Sequence, residues 1–502
     1  MPVGDHAAAR ARKTNLTTYR VAVLCGLVIG LSLALVGEEQ GARAQPAMLV
    51  DSLDAVLGDP RLDGITVAVT VRSAETGELV YDRQGDLRLP PASNEKLITS
   101  AAALADLGPE FRFRTTVLAS APPRNGVLAG ELYVRGGGDP SLDADRMDEL
   151  AAAVAAAGVS DVDGAVVADD SLFDTVRLGT DWSWQDETFA YAAPISALSL
   201  APDPDLNTGS VQVDVLPGAT PGAPAQVGLT PPTRAVQLDN HILTGSPDAT
   251  RSLSGEREHG TNRIVLRGTI PLRARPAHPL FSVQDPALYA ADVFSMALAR
   301  HGVHVHDPAL RRSPTPESAV ELAHTDSRPL AQVLFPLLKL SNNPMAEMLV
   351  KTMGARDAGV GSWSAGLGVA ARVLSAEGVD PRRVQLIDGS GLSTSNLIAP
   401  DDLTMFLVDV QREPWFALWY AALPIAGVPD RAVGGTLADR MAGTPAAGNV
   451  HAKTGTLATT SALSGYVTTQ SGERLVFSVL ESGFVGDPPH AVEDQLAIIL
   501  AS

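Results

Sequence analysis

The chain has 502 residues, 45% of them hydrophobic and 19% charged, with a formal net charge of −19 at pH 7. That length allows two to four domains of roughly 100–200 residues, and the apolar fraction is enough for packed cores, which argues against a disordered chain. A surface this acidic repels nucleic acid and anionic membranes, so a phosphate-reading role is disfavoured.

Residues 1–44 read as a targeting segment. Arg10, Arg12, Lys13 and Arg20 precede an apolar run from Val21 to Val36, and Ala42-Arg43-Ala44 supplies the small residues of a cleavage site. The run is shorter than the roughly 20 residues of a membrane span, and an uncleaved anchor is the alternative. Cys25, the only cysteine, lies in this segment, so a chain cut after Ala44 has neither disulfide nor thiol chemistry. It also keeps 33 basic and 54 acidic residues, a net charge of −21, and only four lysines, Lys96, Lys339, Lys351 and Lys453, against 29 arginines. Lysine is not routine surface charge here.

In chain order, Pro46–Leu57 has helical spacing. Ile65–Arg72 alternates as a strand, and a Glu-Thr-Gly-Glu turn leads to Leu79-Val80-Tyr81, a hairpin signature. A helix begins near Ser93, carries Leu97, Ile98, Ala101, Ala102 and Leu104, and ends at Gly108-Pro109. Residues 113–324 change texture to Pro, Gly, Asp and short valine-bearing strands, among them Ser210–Leu216 and Arg263–Leu272, with Pro217–Pro232 as a linker or loop. This suits β-rich inserted domains, a second one nested at about 205–275; a tandem downstream domain is the alternative. The end of the chain predicts strands at Val450–Thr456, Ser461–Thr469 and Arg474–Glu481 and a helix at Ala491–Leu500. The two early and three late strands form one antiparallel sheet only if the chain ends meet, which makes 45–112 and 325–502 one domain.

Three short motifs could carry chemistry. In Pro90-Pro91-Ala92-Ser93-Asn94-Glu95-Lys96, Ser93 and Lys96 lie three apart on a helix start, where a serine nucleophile needs a nearby base and lysine serves only if held neutral. The bland reading is a serine N-cap and a solvated lysine, but no other lysine has a serine three residues before it. Ser341-Asn342-Asn343-Pro344 could present a relay hydroxyl and an amide to one cleft, or simply cap a helix through Asn343. Lys453-Thr454-Gly455-Thr456 on a strand edge could hold a carboxylate and pair with an extended peptide, or be an exposed lysine. All three motifs in this order arise by chance about once in a hundred chains or fewer, and such a set marks β-lactamases and penicillin-binding proteins. His301, His304 and His306 fit a partly exposed strand better than a metal site.

With these motifs, the sequence resembles the D-alanyl-D-alanine carboxypeptidases/endopeptidases of the class C penicillin-binding proteins, over nearly the whole chain after residue 44. Further matches are Gly136–Leu142, Asp169–Phe173, Trp182-Ser183-Trp184, Ala193–Leu198 and Asp388-Gly389-Ser390-Gly391-Leu392-Ser393. The resemblance implies an α/β (α+β) fold: a penicillin-binding-protein/β-lactamase-like transpeptidase domain with a five-stranded antiparallel sheet flanked by helices, plus β-rich inserted domains. It favours insertion over tandem domains. It also implies that Ser93 forms an acyl-enzyme with D-Ala-D-X peptides, Lys96 is its base, Ser341 relays a proton and Asn343 positions the acyl side chain. Lys453 and Thr454 would hold the substrate carboxylate beside Gly455, and the backbone N–H groups of Ser93 and Thr456 would form the oxyanion hole. Asp186 would receive a diaminopimelate ammonium, with Tyr191 beside it. Where the family often has an arginine after Asp-Gly-Ser-Gly-Leu-Ser, this chain has Thr394 and Ser395, which puts a preference for that side chain in question.

The expected protein is a secreted or periplasmic serine D-Ala-D-Ala carboxypeptidase/endopeptidase of peptidoglycan. It needs no cofactor or metal and is acylated by β-lactam antibiotics; peripheral membrane association stays open. A β-lactamase-like hydrolase and a non-catalytic wall-binding protein are the alternatives.

Overall fold

The structure is a computed structural model that describes residues 48–502; the targeting segment and Cys25 lie outside the described residues. A first unit ends at Pro60 and contains a helix over 48–57, and Arg61–Ser502 form the second unit. Among the described residues no helix is long and apolar enough to cross a membrane.

In the second unit the two ends of the sequence share one five-stranded sheet. Its order is His451–Thr456, Thr460–Thr468, Arg474–Ser482, Thr66–Ser73, Leu79–Arg83, antiparallel throughout. The inner strands are buried along almost their whole length, so they read as apolar runs rather than a clean alternation. The period of two survives in what each face touches: Ala68, Ala462, Tyr466, Val476 and Leu480 share a core with Leu97, Ile98 and Ala101 of the Glu95–Leu107 helix and Met345, Leu349 and Met353 of the Asn343–Ala358 helix. Gly108, at φ 87, stops the first of these helices where the Gly-Pro pair predicted.

The chain leaves this core at Phe113 and returns at Ser327, and the two are tied together: Ser327 N donates to Phe113 O at 2.8 Å and Phe113 N to Ser327 Oγ at 2.9 Å. Between them, residues from Val117 to Ala323 build a second core. It comprises a six-stranded sheet, ordered His304–Arg312, Asp161–Asp169, Leu132–Arg135, Arg114–Ala119, Val320–Asp326 with Val127–Leu128 beside the second strand, and two three-stranded sheets. One of these corrects the sequence reading: Gln226–Thr230, inside the stretch taken as a linker or loop, is a strand paired with Ser210–Leu216. Its burial is partial and its flanks carry Pro and Gly, so nothing local marks it; the cross-strand partner makes it a strand. The three histidines split up: His301 follows the Pro286–Arg300 helix and meets Asp148 at 2.8 Å, while His306 meets Asp161 at 3.3 Å from the His304–Arg312 strand.

A seam joins the two cores beside the sheet edge. Phe173, Ile195 and Ala197 pack on Met348, and Lys351 Nζ meets Asp174 at 2.6 Å. Both Met348 and Lys351 belong to the Asn343–Ala358 helix, so the helix that presents Asn343 is also the anchor of the second core.

Candidate active site

Ser93 stands in a 3-10 turn, Ala92–Asn94, that runs directly into the Glu95–Leu107 helix. The turn is held on three sides. Asn94 Nδ2 donates to Ser464 Oγ at 2.9 Å, tying it to the sheet. Ala92, at φ 47, has its carbonyl where a Cβ on Gly391 would sit, 1.7 Å away, and its own Cβ 3.0 Å from where one on Gly455 would be. Only residues without side chains fit at both places, so the loop bearing Gly391 and the strand bearing Gly455 clamp the serine turn between them.

Neither bland reading of the first motif holds. Ser93 makes no cap bond; the helix N-cap is Asn94, whose side chain makes no cap bond either and is turned to Ser464 instead. Lys96 is fully buried rather than solvated. Its Nζ lies 2.9 Å from Ser93 Oγ, 2.7 Å from Asn343 Oδ1 and 2.7 Å from the Ser390 carbonyl. Burial lowers its pKa from 10.5 to about 7, against the opposing pull of Glu347, Asp388 and Glu95.

The second motif is corrected by one residue. Asn342, not Asn343, caps the Asn343–Ala358 helix, its side chain accepting from Met345 N at 3.2 Å. Asn343 is thereby free to accept from Lys96 and to donate from Nδ2 to the Tyr191 carbonyl at 3.1 Å. Ser341, at φ 60, turns its Oγ toward Lys453 Nζ at 2.8 Å. Lys453 also overturns its bland reading, being completely buried with its pKa held well below the ordinary value by burial and by the charge of Lys96. Its Nζ also donates to the Thr454 carbonyl at 2.7 Å; Thr454 Oγ1 donates to Thr436 at 2.8 Å, and Thr456 Oγ1 lies 3.3 Å from His490 Nε2. All four lysines among the described residues are buried: Lys339 donates to the Leu423 carbonyl, and Lys351 sits 3.9 Å over the Trp363 ring.

The Asp388–Asn396 loop roofs this cluster. Asp388 accepts from Gly391 N at 2.9 Å, Ser393 N at 2.7 Å and Asn396 Nδ2 at 2.8 Å, and Trp182 Nε1 of the second core donates to it at 2.9 Å. Ser395, at the position expected to depart from the family, donates to Asp181. From the same segment come Asp186 and Tyr191, joined by a 2.8 Å bond from the phenol to Oδ1. Tyr191 stacks on Phe189 at 5.3 Å; both rings and Trp184 are exposed. Burial and the Asp186 carboxylate raise the phenol's pKa. Sequence reading gave no role to Glu347, a buried carboxylate in the middle of the site, though Asn343, Glu347 and Lys351 recur every four residues on one helix face.

Two lysines with lowered pKa, each against a serine hydroxyl and one of them also held by an asparagine, suit nucleophilic attack followed by proton transfer to a leaving group. The D-Ala-D-Ala carboxypeptidase 3 (S13) family model matches residues 49–502. The chain is 44% identical to the D-alanyl-D-alanine carboxypeptidase of Actinomadura sp. (strain R39), over 99% of this chain and 91% of that protein. The crystal structure of penicillin binding protein 4 from Haemophilus influenzae superposes with a TM-score of 0.75 at 26% identity, covering 87% of this chain and 96% of that one. A structure of the same protein complexed with a novel β-lactam gives a TM-score of 0.70 at 25% identity over the same shares. A match that begins at the second described residue and runs to the last takes in both cores and all three motifs, and the chain therefore belongs to the D-Ala-D-Ala carboxypeptidase 3 (S13) family of serine peptidases.

Proposed function

We propose that Ser93 is the nucleophile of a D-Ala-D-Ala carboxypeptidase and endopeptidase of peptidoglycan, acting outside the cytoplasm through an acyl-enzyme and acylated by β-lactams. The observation that carries this is the surroundings of Lys96. Its Nζ faces three acceptors, of which Asn343 Oδ1 and the Ser390 carbonyl cannot donate. A neutral amine has two N–H bonds and a lone pair, so these two acceptors take the hydrogens and the lone pair is left for the Ser93 O–H, 2.9 Å away. A pKa of about 7 makes the neutral form available near neutral pH.

In this reading Ser93 Oγ bonds to the carbonyl carbon of the penultimate D-Ala as its proton passes to Lys96. The oxyanion sits against the N–H groups of Ser93 and Thr456. The C–N bond breaks as the departing nitrogen takes a proton from Ser341, which recovers one from Lys453 at 2.8 Å. Water then adds to the ester carbonyl, returning a proton to Lys453 through Ser341, and Ser93 leaves with the proton that Lys96 took, which restores both lysines and frees the carboxylic acid. Thr454, beside Lys453, and Gly455, which brings the strand close to the Ser93 turn, form the carboxylate-binding edge. Asp186 and Tyr191 approach from the second core and would receive a cationic side chain of the acyl half.

Mass spectrometry of the penicillin-treated protein tests this. The expected result is one long-lived adduct on Ser93, absent from Ser93→Ala, whose fold is unchanged. An adduct that persists in Ser93→Ala places the nucleophile elsewhere, and turnover within seconds favours a β-lactamase. The Asp186→Ala variant is expected to lose about tenfold or more in kcat/KM on peptides with a free amino group near the scissile bond, and little on peptides without one. Equal losses on both would remove Asp186 from recognition.

A further inference from the structure

Glu347 is entirely buried one helical turn after Asn343, and it does not touch Lys96. Its oxygens accept from Gly389 N at 2.8 Å, Ser390 N at 2.8 Å and Trp363 Nε1 at 2.7 Å. The residue whose N–H it holds, Ser390, is the one whose carbonyl meets Lys96 Nζ at 2.7 Å. From the other side, Thr99 Oγ1 donates to the Gly389 carbonyl at 2.7 Å. The Gly389–Ser390 peptide is thus fixed on both faces, and one helix carries both the amide that contacts Lys96, Asn343, and the carboxylate that aims the other contact.

We infer that Glu347 is a positioning residue for Lys96: it holds the Ser390 carbonyl in place and supplies the buried negative charge that sets the charge state in which Lys96 waits. The inference rests on the Ser93–Lys96 reading above. Around this pair the other ionisable groups are Glu95 on the helix of Lys96, Asp388 on the loop, Lys351 one turn along from Glu347, and Lys453 on the strand. Glu95 is buried with neither carboxyl oxygen hydrogen-bonded, and burial raises its pKa well above the ordinary value, so its pull on Lys96 is weaker than that of Glu347. Burial and the Asp388 charge raise Glu347 to about 7 even against its three N–H donors, so its ionised form grows in over the same pH range in which Lys96 loses its proton. A negative Glu347 stabilises the Lys96 ammonium, in opposition to burial. Removing the charge therefore lets Lys96 become neutral at lower pH.

The test is the pH dependence of β-lactam acylation, read as the midpoint of its acid limb. Glu347→Gln is expected to move the midpoint down by about one pH unit and to slow the plateau rate, because an amide presents N–H where a backbone N–H needs an acceptor. Glu347→Asp keeps the charge on a shorter arm, so it should restore the midpoint and not the rate. If Glu347→Gln lacks a cooperative melt, Trp363→Phe replaces it: loss of one N–H donor raises Glu347 and shifts the midpoint the same way by less. A wild-type midpoint retained in every folded variant overturns the inference, since a purely structural role changes rate alone. Failure of the wild type to be acylated at all would instead defeat the reading of Ser93, and this one with it.

Discussion

Lys96→Met is expected to lower the rate of β-lactam acylation by about 10³-fold or more and to abolish its rise through neutral pH. A positioned base contributes about 10²–10⁴-fold in general, and Met has no atom that can take the Ser93 proton. The same change is expected to leave the fold at least as stable. Burial brings Lys96 from 10.5 to about 7. Because the folded-state value is the lower one, the folded protein holds fewer protons than the unfolded chain between those values, and stability climbs with pH across that window. Below pH 7 the buried ammonium costs roughly 5 kcal/mol relative to a neutral side chain. Methionine removes that cost while leaving two acceptors, Asn343 Oδ1 and the Ser390 carbonyl, without a donor. Thermal melts against pH separate the terms: the advantage of Lys96→Met should be largest near pH 7 and shrink toward pH 10. A variant that is still acylated at the wild-type rate, with its acid limb intact, would show that another group is the base.

That penalty bears on what could be read from the sequence. Lysine scarcity directed attention to Lys96 and Lys453, and both prove buried, as does each remaining lysine of the described chain. The spacing of three residues places Lys96 on Ser93 through helical geometry alone. By contrast, Glu347 taken singly carries little signal: a glutamate in mid-helix is normally solvated, and its significance lies in backbone N–H groups more than 40 residues away. The stripe Asn343, Glu347, Lys351 in a helix otherwise buried from Asn343 to Gly354 was the available clue, since three polar residues on one buried face need partners. The cap was misplaced by one residue because Asn342 and Asn343 are equally good N-caps by type, and only the left-handed Ser341 before them decides which one turns inward. The five-stranded sheet was legible because its strands are apolar and bounded by turns. The strand Gln226–Thr230 was not, because its half-exposed residues depend on a partner strand for their meaning.

Gly391→Ala should show how the clamp on the Ser93 turn couples stability to chemistry, with Gly472→Ala as its control. Both glycines have left-handed backbones, Gly391 at φ 80 and Gly472 at φ 89. A Cβ on Gly472, in the turn between the Thr460–Thr468 and Arg474–Ser482 strands, meets nothing within 4 Å, so alanine there bears only the conformational term of about 1 kcal/mol. On Gly391 the new atom falls 1.7 Å from the Ala92 carbonyl oxygen and 2.4 Å from its carbon. Those are backbone atoms and cannot rotate away. Either the 388–396 loop or the Ser93 turn must move. Moving the loop strains the Asp388 and Glu347 bonds that aim the Ser390 carbonyl at Lys96; moving the turn shifts Ser93 relative to Lys96 and Gly455. The expected cost is therefore about 2–4 kcal/mol in unfolding free energy, with about 10²-fold slower acylation, the usual price of a displacement near 1 Å at a reacting centre. Gly472→Ala should lose only the smaller stability term and acylate at the wild-type rate. Equal destabilisation of the two variants with full acylation by Gly391→Ala would mean that the serine turn keeps its geometry without the loop, and the positioning of Lys96 would then have to come from the Glu95–Leu107 helix alone.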